Sequence, residues 1–224
     1  MARRPRHFAP PTDQERWDLA SVTMQMRVDV VSNMEANTPV PVYFANFDYL
    51  EAYCDWNALV IDEIRGVKLK DAALIRHEGT RVGYGLVWVN AKTPQREVRK
   101  AMVHHIADAY HLQPDELSPV DADHVMNRAS LAKVPASWVA VMPVFYEVNQ
   151  RTGFIFEKGL EVDTSRSKLH ANPLQLFKIL SDIWPKSVSE FEDAMRRIES
   201  QHRLAYLTPN IREWIKGGFP FVAQ

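Results

Sequence analysis

Apolar residues along this chain recur with two different periods. Between Gln14 and Glu35, Leu19, Val22, Met26, Val30 and Met34 fall at helical spacing, which predicts a helix with one face toward a core. Thr38–Pro41 breaks that pattern, and Val42–Ala45 is a short apolar run that predicts a strand. From Asp48 to Arg65 the spacing of Leu50, Tyr53, Asn57, Val60, Ile61 and Ile64 predicts a second helix. Val82–Asn90 alternates and is rich in β-forming residues, so a strand is expected there, with Gly83 and Gly85 marking a bulge or a close backbone approach.

Thr93 and Pro94 supply an N-cap and a proline at the first helical position. The helix expected over 94–111 carries Val98, Met102, Ile106 and Tyr110 on one stripe. Residues 115–162 are shorter in rhythm and β-rich, with Trp138–Val144 and Gly153–Phe156 as the extended pieces. Asn172-Pro173 opens a further helix that Pro185 ends, and Ser187 to Glu190 is a capping box opening another, with Phe191, Met195 and Ile198 inward. Gly217-Gly218 stops the last.

These elements predict an α+β fold in which helices flank a small central β-containing ββα-like unit. Residues 1–12 form a basic arm and 13–224 a single domain, with the β-rich unit at 115–162 and a helical part at 172–217. Hydrophobic residues at 46% and charged residues at 25% fit a globular chain rather than a disordered one. No stretch of 18 apolar residues occurs, and the basic start has no apolar segment behind it, so neither a membrane helix nor a secretory signal is expected. The lone Cys54 allows no internal disulfide and reads as a small buried hydrophobe; a cytoplasmic location is expected. With a net charge of −1, affinity for nucleic acid must come from local patches. The basic face formed by Lys92, Arg96, Arg99, Lys100 and His104 is one candidate.

The densest chemistry lies in Asp121–Arg128, where two carboxylates, an imidazole, an amide and a guanidinium fall within eight residues. Phosphodiester hydrolysis needs a base, ligands for a divalent ion and positive charge on the phosphate. His124 suits the base, Asp123 a ligand and Arg128 the phosphate. An Asp-His pair, a second strand, then a segment bearing Asn149 and Glu157 resembles the ββα-metal motif of HNH endonucleases over about 40 residues.

The resemblance implies His124 as general base, Asp123 and Glu157 as metal ligands, and Asn149 as the residue orienting the histidine. It also implies a divalent cofactor such as Mg²⁺ or Mn²⁺ and a nucleic-acid partner, DNA ahead of RNA. The chain departs from the family in having Glu at the last ligand position and no zinc-binding cysteine pairs.

The same residues also read as an ordinary capped turn, with Asp123 capping a helix from Val125 and Arg128 in a surface ion pair. Two other functions stay open: a non-enzymatic nucleic-acid-associated regulator, and a protein-interaction module such as an inhibitor or assembly factor, with a homodimer or a protein partner. His104, Asp108 and His111 share a helix face at metal-like spacing, although no fourth ligand is evident.

Overall fold

The structure, a computed structural model, describes residues 41–79, 85–113, 115–126, 128–146, 148–149, 163, 165–181, 185–200 and 208–216. The expected arm, the helix at 14–35 and the strand at 153–156 lie outside the described residues.

Seven strands form one sheet: β1 (Pro41–Phe44), β2 (Leu59–Asp62), β3 (Ala72–His77), β4 (Leu86–Asn90), β5 (Val120–His124), β6 (Trp138–Phe145) and β7 (Lys168–His170). Six helices are seen among the described residues: α1 (Phe47–Trp56), α2 (Gln95–Tyr110), α3 (Arg128–Leu131), α4 (Pro173–Leu180), α5 (Val188–Ser200) and α6 (Thr208–Lys216). The strand order is β2-β3-β4-β6-β1-β7, with β5 also paired to β6 and every pairing antiparallel. The sheet curls as a half-barrel. This corrects the expected fold: the chain is α+β, but the sheet dominates it and is not a small ββα unit between helices.

Register explains how the sheet is built around β6. Val141 is opposite Val87 of β4 on one side and His124 of β5 on the other, while Val139 is opposite Val89 and Tyr43. Strands β1 and β5 therefore share one edge of β6, β1 along its first half and β5 along its second. All but the last residue of β6 are buried, as a strand covered on both faces requires.

Local chemistry accounts for the helices. The Asn46 side chain accepts a 3.0 Å bond from the Tyr49 N–H and starts α1. Asn172 and Gln175 make a reciprocal capping box at α4, ahead of Pro173. Ser187 Oγ accepts from the Glu190 N–H at the start of α5, while the Glu190 carboxylate accepts from the Lys186 N–H.

Several expectations are corrected. The helix read over Asp48–Arg65 ends at Trp56; Ala58 takes a left-handed φ of 53°, and Leu59–Asp62 is strand. Thr93 does not cap α2, because its hydroxyl donates to the Asp71 carbonyl at 2.8 Å. Tryptophans are expected in the core by their apolar bulk, and Trp88 and Trp138 are there, whereas Trp56 is 90% exposed. Cys54 is buried as expected, and burial pushes its thiol up to about 12.

Candidate functional site

Strand β5 carries the chemistry. Its sequence Val120-Asp-Ala-Asp-His124 alternates buried and half-buried positions, as an edge strand with one covered face does. Alternation puts Asp121 and Asp123 on one face of the strand and Val120, Ala122 and His124 on the other. Asp123 and His124, expected to act side by side, thus leave β5 in opposite directions. Asp123 does not cap a turn either: it lies within the strand, and the short helix begins at Arg128.

Helix α2 covers the outer edge of β5 with side chains. Gln95 Nε2 donates to the Ala122 carbonyl at 3.1 Å, and Arg99 donates to the carbonyls of Val120 and Leu117 at 2.6 and 3.3 Å. Carbonyls of alternate residues point to the same edge, so these bonds satisfy groups that an unpaired edge strand would leave open. Gln175 of α4 then takes the Val125 carbonyl at 2.6 Å. Three residues of the basic face of α2, Arg99, Lys100 and His104, thus bond the fold, while Arg96 stays exposed. Lys100 donates to the Gly66 carbonyl, His104 Nδ1 lies 2.6 Å from the Arg65 carbonyl, and Asp108 pairs with Arg65 at 2.7 Å. Gly66 sits in this corner at φ 72°, a conformation that favours glycine, and a Cβ there would touch His104.

On the carboxylate face, Asn149 Nδ2 donates to Asp121 Oδ2 at 3.1 Å, and Arg99 lies 3.8 Å from the other oxygen. Asn149, expected to orient His124, is thus brought to Asp121. Asp123 Oδ2 is 2.7 Å from Lys178 Nζ of α4; the lysine side chain is 4% exposed and the aspartate 12%. His124 is buried, and burial together with the charges of Arg128 and Lys178 pushes its imidazole down to about 4. Lys178 therefore acts electrostatically on both sides of β5. Arg128 is exposed and donates to Gln95 Oε1 at 3.3 Å.

Glu157 lies outside the described residues. Among the described residues no three His, Cys, Asp or Glu side chains are grouped to hold a metal ion, the set His104, Asp108 and His111 included. The two carboxylates that share the β5 face are of the oxygen-ligand type that Mg²⁺ and Mn²⁺ take, but two of them make no complete ligand set. Asn149, Arg99 and Lys178 are among their partners.

Lys178 is the site residue that sequence reasoning missed. In the sequence it reads as an ordinary basic residue in the last turn of a helix; only the packing of α4 against the sheet shows it buried. Asp121 was within the segment singled out, but without an assigned role.

No helix among the described residues is long and apolar enough to cross a membrane. Comparison with protein-family models, with curated proteins and with solved structures finds no match.

Proposed function

We propose that this protein is a metal-dependent endonuclease that hydrolyses phosphodiester bonds at the carboxylate face of β5. The observation that supports this reading is the hydrogen bond from Asn149 to Asp121, on the same strand face as Asp123. It joins one carboxylate and an amide from positions 28 residues apart. Asp121 and Asp123 are the groups that would hold a divalent ion, with Asn149 bonding the Asp121 carboxylate from outside. When bound, such an ion polarises the phosphate and lowers the pKa of a water.

The remaining roles belong to the chain's own side chains. His124, the general base that the resemblance implies, is buried at 5% exposure on the opposite face of β5 and pushed down to about 4. The carboxylates and Arg128 therefore carry this reading, and His124 has no direct contact with the phosphate. Arg128, exposed at the start of α3, presents a guanidinium suited to a phosphate oxygen pair. DNA is the preferred substrate on this reading and RNA the alternative.

Incubating the purified chain with plasmid DNA and with a structured RNA, in Mg²⁺ or Mn²⁺, tests the proposal. Cleavage that EDTA abolishes is expected. Intact substrates with both metals would contradict it.

A further inference from the structure

The turn before β3 is closed by the Lys68 carbonyl, which accepts from the N–H groups of Asp71 and Ala72 at 2.8 and 3.1 Å. The Asp71 carbonyl accepts in turn from the Asn90 N–H at 3.0 Å and from the Thr93 hydroxyl at 2.8 Å, tying that turn to the loop that enters α2. The Ala91 N–H donates to the Ser137 carbonyl at 2.9 Å, and Arg128 donates to Gln95 Oε1 at 3.3 Å, so the stretch 128–137 joins the same corner. Three separate stretches of chain are thus stitched together where α2 begins.

Each stretch brings cations beside its stitching residues. Lys70 precedes Asp71, Lys92 follows Ala91 and Arg96 follows Gln95. Lys133 precedes Val134, whose carbonyl accepts from the Ser137 N–H at 2.9 Å. With Lys68 and Arg128 they make six exposed cations at one corner. The acids of these stretches are Asp71 and Glu97, and Glu97 lies 3.3 Å from Arg96. The corner is therefore positive on a chain whose net charge is −1.

We infer that this corner seats the phosphate backbone of a nucleic-acid duplex without reading its sequence. Among the described residues the exposed large hydrophobic side chains are Tyr49, Trp56, Tyr146 and Val188, none of them in these stretches. A membrane surface takes up an apolar face beside its cations, a protein interface needs an apolar centre, and a single strand is held by stacking on aromatic rings. A duplex backbone needs none of these, because phosphate contacts alone hold it. Gln95 sets the corner beside β5, taking Arg128 on its amide oxygen and donating to the Ala122 carbonyl with its nitrogen. The inference rests on the proposed nucleic-acid partner, and it needs no catalysis.

Fluorescence anisotropy of a labelled DNA duplex, with the full chain in EDTA over a series of salt concentrations, tests this apart from cleavage. Wild type is compared with the triple variant Lys70→Gln, Lys92→Gln, Lys133→Gln. A second triple variant, Arg166→Gln, Lys186→Gln, Arg197→Gln, removes three exposed cations elsewhere. Expected for the first are a Kd raised about tenfold or more and a salt slope shallower by about 1 per lysine removed. Wild-type values are expected for the second. Circular dichroism melting reports folding, and the single lysine variants, each lowering the slope by about 1, serve should the triple variant not fold. No duplex binding by wild type, wild-type binding by the first triple variant, or equal loss in both overturns the inference. So does tighter binding to single-stranded DNA or to phosphatidylserine vesicles than to the duplex. Corner-dependent binding without any Mn²⁺-dependent cleavage leaves the inference standing and removes the nuclease reading. Cleavage together with wild-type binding by the first triple variant does the reverse.

Discussion

Asn149 donates its amide proton to Asp121 across 28 residues of chain, at 3.1 Å, and so ties the segment after β6 to the middle of β5. The carboxylate accepts this bond on one oxygen while Arg99 approaches the other. The bond links β5 to the segment that follows its paired neighbour β6, so its contribution to stability is modest and its contribution to geometry larger.

Asn149→Ala is accordingly expected to lower stability by about 1 kcal/mol, the net worth of an ordinary hydrogen bond. Cleavage should fall by about 10–100-fold, as when an outer partner of a metal-binding carboxylate is removed. Denaturant unfolding and initial cleavage rates, measured on the same preparation, separate the two effects. A large loss of stability with matching loss of activity would make Asn149 a structural residue only.

Acid should destabilise the fold through two histidines. Burial pushes His105 down to about 4, with the Gly85 backbone opposing, and His124 is also pushed to about 4. Both nitrogens of His105 are buried, with the Gly85 backbone beside the ring but outside good hydrogen-bond geometry. Each ring stays neutral in the folded chain but takes up a proton in the unfolded chain as pH falls below about 6.5. The stabilising difference is complete above the unfolded value and shrinks as pH drops toward the folded one, each ring contributing on the order of 3 kcal/mol. Urea unfolding at about pH 7.5 and about pH 5 should show the loss, and His105→Leu should remove a large part of it. An unchanged pH dependence in that variant would mean that His105 is not buried neutral.

The arginines of α2 should differ sharply although they are neighbours in sequence. Arg99 holds two carbonyls at the edge of β5, so Arg99→Ala should cost about 2 kcal/mol by leaving them unsatisfied. Arg96 is 86% exposed beside Glu97, and Arg96→Ala should stay within about 0.5 kcal/mol of wild type. Thermal melts of the two variants decide this. Equal effects would place Arg99 on a solvated face.

Much of this architecture was legible in the sequence where local signals were strong. The β-branched runs gave β1, β4 and β6, Pro94 and the Val98–Ile106 stripe gave α2, and the caps at Asn172 and Ser187 gave α4 and α5. Strand β2 was hidden because Val60 and Ile61 continue a helical spacing, and only the left-handed Ala58 shows that the helix has ended. Strand β5 is poorly marked because aspartate is common in turns and poor in strands; the period-two alternation Val-Asp-Ala-Asp-His is the available signal. Asp121, Asp123 and His124 stood out as chemical residues, but their partners depend on register and on α4, which local patterning does not contain. Hence the bond of Asn149 to Asp121 and the burial of Lys178 against Asp123 have no signature in the sequence.

The central claim is metal-dependent phosphodiester hydrolysis at β5, and its most direct measurement is the Mn²⁺-dependent cleavage rate of plasmid DNA by wild type, Asp123→Asn and Asp121→Asn. Wild-type cleavage that EDTA stops, with a loss of about a hundredfold or more in each folded variant, is the expected result. Rates equal to wild type in both variants, or no cleavage by any of the three, would contradict it.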